Sequence, residues 1–345
     1  MFAIMIGMGL VVSLFIPGKA QIASAAELNF SVESVLPDNQ RDKKQTYFDL
    51  RMKPGQEQTV YVLLKNSTKK KVTVNIGANE AKTNMNGTTQ YDTNKIERDS
   101  TLKYSLADIV TVEKKVVVKP NSEQKVPVKI KMPNEDIPGI ILGGLSFQQK
   151  DSEVDKDEKS EEQGLSIKNR FSYNLAMMLS TNDDKVKPEL VLNDVKADLY
   201  NARTVILANI QNTQPMLMNQ LEVKANVTKK GDSEQLFKKN AKEMQMAPNS
   251  NFDYTIPLDG KTIDAGDYTL TMEATSMGET WKWKKDFTVT DDQSAKFAEK
   301  DVDVTEEESS NWLWWVIGGV VLLAIIAAII VLLRKKGNKQ TRSRR

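Results

Sequence analysis

Apolar and polar positions alternate with a period of two over much of this chain. KVPVKIKM (125–132) sets Val126, Val128, Ile130 and Met132 on one face and Lys125, Lys129 and Lys131 on the other. KVTVNIGA (71–78), LEVKANV (221–227) and YTLTMEAT (268–275) repeat the pattern. Such alternation predicts strands with one buried and one wet face. Pro127 points outward within its strand, which predicts a sheet edge. Turn signals at Pro54-Gly55, Asn86-Gly87, Pro120-Asn121, Gly231-Asp232 and Ala265-Gly266 break the pattern into short runs. Asn86-Gly87 suits a tight hairpin. The expectation is an all-β protein with two immunoglobulin-like β-sandwich domains in tandem, residues 27–183 and 188–290. Only 233–246 has a mixed pattern that leaves room for a short helix.

KDSEVDKDEKSEEQG (150–164) is a charge run with no apolar face. It reads as an interdomain linker or, preferably, as a long loop inside the first domain. IPGIILGGLSFQ (137–148) and LSIKNRFSYNLAMMLST (165–181) flank it closely and are expected to pair as the last strands of that domain. Asp151, Glu153, Asp155, Asp157 and Glu162 have half the spacing of a calcium loop, but Lys156 stands where that loop needs glycine. A solvated loop is the expectation. Residues 291–311, with DVDVTEEESSN, read as an acidic stalk.

Both ends are apolar. Trp312 to Leu333 contains no charge, and at about 1.5 Å per residue it is long enough to cross a bilayer. Trp312, Trp314 and Trp315 stand at one end as interfacial anchors, with Arg334, Lys335 and Lys336 at the other. The basic tail, 334–345, predicts a cytoplasmic C-terminus. Residues 1–26 read as a signal peptide with cleavage at Ala25 or Ala26, although no cation precedes Lys19; an uncleaved first helix is the competing reading. The stretch between is then extracellular. Of 48 Lys+Arg, Lys19 and seven tail cations fall outside 27–311, whereas all 46 Asp+Glu fall inside, so the exposed part carries about −6. A mildly acidic exterior does not suit nucleic acid.

There is no Cys and no His. An exported chain of this size without disulfides fits a Gram-positive surface. Triads that use His, thiol nucleophiles and common transition-metal sites are excluded. Ser-x-x-Lys occurs at Ser67–Lys70, Ser100–Lys103 and Ser122–Lys125, each in a polar stretch without the companion motifs of penicillin-recognising enzymes. No enzyme activity and no cofactor or metal are expected.

With these pieces placed, the chain resembles the WxL protein-interacting proteins of Gram-positive bacteria. The resemblance is carried by NFSVESVLPDNQ (29–40), YFDLRMKPGQEQTVYVLLKN (47–66), IPGIILGGLSF (137–147) and IKNRFSYNLAMMLS (167–180). VILANIQNTQPMLMNQLEVKANV (205–227), MAPNSNFDYTIPL (246–258) and LDGKTIDAGDYTLTMEA (258–274) carry it in the second half. It implies an adapter: a peptidoglycan-binding domain first and a host-binding domain second. It also implies a surface that receives WxL-domain proteins, with host matrix or cell-surface proteins as further partners. The chain has no Trp-x-Leu triplet of its own. A sensor signalling through the membrane helix is the alternative.

Candidate ligand contacts are few. Trp281 and Trp283 share a strand face with Phe287 and either stack on sugar rings or fill a sandwich core. Tyr91 and Tyr104 bracket a polar insertion (82–105) that is either a ligand loop or an ordinary surface loop.

Overall fold

The structure is a computed structural model that describes residues 29–92, 97–150, 172–303, 321, 322, 325–327 and 329. The signal segment with Ala25 and Ala26, residues 151–164 of the charged loop, Trp312, Trp314, Trp315 and Arg334–Lys336 lie outside the described residues. Among those described, no helix is long and apolar enough to cross a membrane. Val321, Leu322, Ile325, Ile326, Ala327 and Ile329 are helical and exposed.

The chain is mostly β, as expected. Strands β1 (Ser31–Val35), β2 (Phe48–Arg51), β3 (Glu57–Asn66) and β4 (Val72–Glu80) begin the first sandwich. A small hairpin, β5 (Lys82–Thr83) and β6 (Thr89–Gln90), and a one-turn helix, α1 (Leu106–Ile109), follow. Strands β7 (Val110–Val112), β8 (Lys115–Val118), β9 (Ser122–Lys131), β10 (Ile141–Gln149) and β11 (Ser172–Ser180) complete it. They form two sheets, ordered β1-β3-β9-β7 and β2-β11-β10-β4-β8. The inward residues of both, including Val60, Val62, Val126, Val128, Phe147 and Leu179, make one core. β10 and β11 pair antiparallel from Ile141↔Leu179 to Gln148↔Ser172, as their flanking positions predict. β11 also runs parallel to β2.

Two expectations for this domain need correction. β9 is not an edge strand, because β7 covers it. That cover ends at Val112↔Val128, one residue short of Pro127, so no β7 residue pairs with the proline. Asn86-Gly87 does turn a hairpin, but through a longer loop: Gly87 N–H bonds Asn84 O at 2.9 Å, and Asn84 N–H bonds Thr88 O at 3.0 Å.

The second sandwich follows from β12 (Leu190–Tyr200), β13 (Arg203–Asn212), β14 (Met218–Lys229), β15 (Gln235–Met246), β16 (Ser250–Pro257), β17 (Gly266–Ser276) and β18 (Glu279–Val289). Sheet β12-β13-β16 faces sheet β15-β14-β17-β18 over a core containing Ile206, Ile210, Val223, Tyr254, Leu270 and Met272. Residues 235–246 are a strand and not a helix. Register shifts against β14 and the left-handed backbone of Glu243 (φ 58°) break the alternation that would have shown it.

The first half of the expected stalk is also a correction. Helix α2 (Asp291–Lys300) starts at a capping box, in which Thr290 caps Gln293 N–H and the Gln293 side chain accepts from Thr290 N–H. Its Phe297 is 4% exposed and joins the second core. Past the helix, Asp301 accepts Thr204 N–H at 2.7 Å and Asp303 pairs with Arg203 at 2.6 Å. Phe297 is the apolar anchor of this polar run, burial of a phenyl ring contributing about 2–3 kcal/mol. Residues 304–311 lie outside the described part.

Candidate functional site

The polar insertion between β4 and α1 reaches across to the second sandwich. Gln245 N–H bonds Gly87 O at 2.7 Å. Thr83 Oγ1 lies 2.6 Å from Ser250 Oγ and accepts Ala247 N–H at 3.0 Å. Gly87 is left-handed (φ +67°) and a Cβ there would meet Met244 at 2.7 Å, so only glycine lets the hairpin tip come this close. Gly139 does the same from the other side. Its φ is +75°, a Cβ would sit 2.2 Å from Pro215 O, and the neighbouring Ile140 N–H bonds that carbonyl at 2.8 Å.

Asp99 is the polar centre of this joint. Its carboxylate accepts Asn251 Nδ2 at 2.5 Å and Gln211 Nε2 at 2.9 Å, both from the second sandwich, and Thr101 N–H at 2.8 Å from its own. Burial alone would raise its pKa. The hydrogen bonds from Asn251, Thr101 and Gln211 outweigh that and hold it below the usual carboxylate range. Ala81, Leu142 and Ala247 form a small apolar cluster across the same joint, with Tyr91, Ile140, Met178 and Leu217 packed around it.

The four ring residues singled out in the sequence do not converge. Tyr91 is half-buried at the joint, its hydroxyl pKa raised by burial, and its ring root fills the space left by Gly144, where a Cβ would meet it at 2.6 Å. Tyr104 packs on the first core and also lines a cleft of about 250 Å³ between the sandwiches, with Ile137, Pro138, Leu142, Pro215 and Pro248. Lys103 Nζ lies 5.1 Å from its ring centre. Trp281 and Trp283 lie near the start of β18, both packed against the second core with part of each residue open. Among the described residues no acidic cluster could hold a metal, and the half calcium loop lies outside them. The joint itself escaped the sequence reading, since Asp99 and Asn251 are separated by 152 positions and nothing local links them.

Family models match both halves in order: the WxL Interacting Protein peptidoglycan binding domain over 30–149 and the WxL Interacting Protein host binding domain over 162–299. No curated protein sequence matches significantly. Solved structures resemble the chain only weakly. The CsuC–CsuE chaperone–tip adhesion subunit pre-assembly complex of Acinetobacter baumannii has a TM-score of 0.31 and 9% identity, covering 74% of this chain and 98% of its own. The PapD-like domain of human CEP192 has a TM-score of 0.28 and 10% identity, covering 52% of this chain and 100% of its own. Likeness at that level bears on neither function nor partner. The second family match begins before β11, a strand that completes the first sandwich, so sequence family and folded unit divide the chain at different places. With one family's two domains matched in order over most of the folded part, this chain belongs to the WxL interacting protein family.

Proposed function

We propose that the chain is a membrane-anchored adapter of the Gram-positive surface. Its first sandwich grips peptidoglycan, its second engages host matrix or cell-surface proteins, and a further surface receives WxL-domain proteins. Both are read as immunoglobulin-like modules. The observation that carries this is the order of the two matched binding domains along one chain, joined by a built interface. A cell-surface binding role follows from the family; the WxL partner and the anchor are our reading. The apolar run 312–333 supplies the anchor, with Trp312, Trp314 and Trp315 outside and Arg334, Lys335 and Lys336 inside. Attachment at two points, wall and membrane, lets modest wall affinity suffice, because tethering raises the effective concentration. No catalytic step is needed.

Protease added to intact, wall-stripped cells tests the topology. The adapter predicts loss of the sandwiches with the tail protected. Sandwiches that survive until the cells are ruptured contradict it. The sensor alternative is separated by exchanging 312–345 for an unrelated anchor, which an adapter tolerates.

A further inference from the structure

The outer face of sheet β1-β3-β9-β7 carries a pattern that no residue assignment so far uses. Register places Val35 opposite Tyr61 and Tyr61 opposite Pro127, an apolar stripe across three strands. Tyr61 is 43% exposed although it stands mid-strand in an interior strand. Along the same face, the cations at the two ends are neutralised by direct cross-strand partners, Lys65 by Glu123 and Lys131 by Glu57, each at 2.9 Å. Among the described residues, the middle two have no such cross-strand partner. Lys125 stands opposite Leu63, and Lys129 lies between Thr59 and Thr111. Glu33 is two strands from Lys125, roughly 10 Å away, and exposed Glu113 follows β7 beside Pro127. Lys125 and Lys129 are the diagonal neighbours of Tyr61, about 7–8 Å from it on either side. A shallow groove of about 340 Å³ runs past Thr59, Thr111 and Lys129.

We propose that this face is the glycan platform of the peptidoglycan-binding domain. The claim rests on the reading that residues 30–149 bind peptidoglycan, and it names where and through which chemistry. An exposed ring offers a flat apolar surface with a polar tip, which suits the C–H face of a pyranose. Two ammonium groups with no acid directly opposite them among the described residues suit the carboxylates that wall amino sugars and their stem peptides carry. Thr59 and Thr111 add hydroxyl contacts for sugar hydroxyls. Charge complementarity fixes the occupant as an acidic glycan strand. A bare phosphodiester polymer would need the lysines and not the ring. The outward lysines of β9 are evident in the sequence, but Tyr61 joins them only through strand register.

The test uses the full-length chain in detergent, pelleted with insoluble sacculi stripped of phosphodiester polymers. Wild type should pellet. Tyr61→Ala should weaken binding about tenfold, the scale of one good contact, while Tyr61→Phe keeps it. The double variant Lys125→Gln/Lys129→Gln should weaken it similarly and flatten its salt dependence. Lys69→Gln/Lys71→Gln, in the exposed loop at the end of the sandwich, should change nothing. Thermal midpoints equal to wild type establish that each variant folds. Wild-type pelleting with Tyr61→Ala unaffected overturns the platform and leaves the wall-binding reading standing, as does loss of binding only in the Lys69/Lys71 variant. Failure of the wild type to pellet overturns both.

Discussion

Asn251 of the second sandwich donates its side-chain amide to Asp99 of the first at 2.5 Å, and Gln211 donates to the same carboxylate at 2.9 Å. Asp99 is 6% exposed, so this charge is held in the joint by amides from the opposite domain. The two sandwiches are therefore coupled through a specific polar lock.

Removing the lock should uncouple them. Asp99→Ala strands two half-buried amides, at about 1 kcal/mol each, the low end for unsatisfied donors. Chemical denaturation followed by circular dichroism for both sandwiches and by Trp281 and Trp283 fluorescence for the second, the first having no Trp, should show the two transitions separate. A single unchanged transition counts against the lock.

The lock should also weaken in acid. Asp99's folded pKa lies below its unfolded value, so its stabilisation is complete above the ordinary carboxylate range, about pH 4. It disappears as pH falls through the depressed folded value. Asp99→Asn removes the titration. The stability gap between wild type and Asp99→Asn should be constant from pH 7 to 5 and shrink below pH 4. A gap that grows on acidification is the opposite sign.

Gly139 and Gly231 separate strain from contact. Both have positive φ, +75° and +85°. An alanine at 231 meets open space and should cost only the left-handed penalty, about 1–2 kcal/mol. At 139 the new Cβ meets the Pro215 carbonyl, so the cost should be larger and fall on the joint. Equal thermal shifts for the two variants would mean that the joint yields freely.

Phe297 offers a test of the corrected stalk. Phe297→Ala should cost about 3 kcal/mol, near the lower limit for a buried phenyl, since a terminal helix can undock. Hydrogen exchange should then rise across 291–300. No change in either measurement would mean that the helix is not fastened.

Most of the strand pattern was legible because one face of each strand is buried: 221–227 and 268–275 fall within β14 and β17, and 71–78 and 125–132 match β4 and β9 to within one residue. Legibility failed where geometry departs from the simple pleat. β15 was hidden by its bulge at Glu243, and α2 by its single apolar anchor. Residue type picked Tyr91, Tyr104, Trp281 and Trp283 because large rings bind ligands, but rings also fill joints and cores, and all four are at least partly packed here. Tyr61 was passed over because its exposure depends on which way a strand faces and on what lies opposite.

The central claim is that one chain bridges wall and partner. The most direct measurement is a three-component pelleting assay: stripped sacculi, the full-length chain in detergent, and a soluble WxL-domain protein. The WxL-domain protein should enter the pellet only when the chain is present, in proportion to the chain bound. A WxL-domain protein that stays in solution beside wall-bound chain, or pellets equally without it, would contradict the bridge.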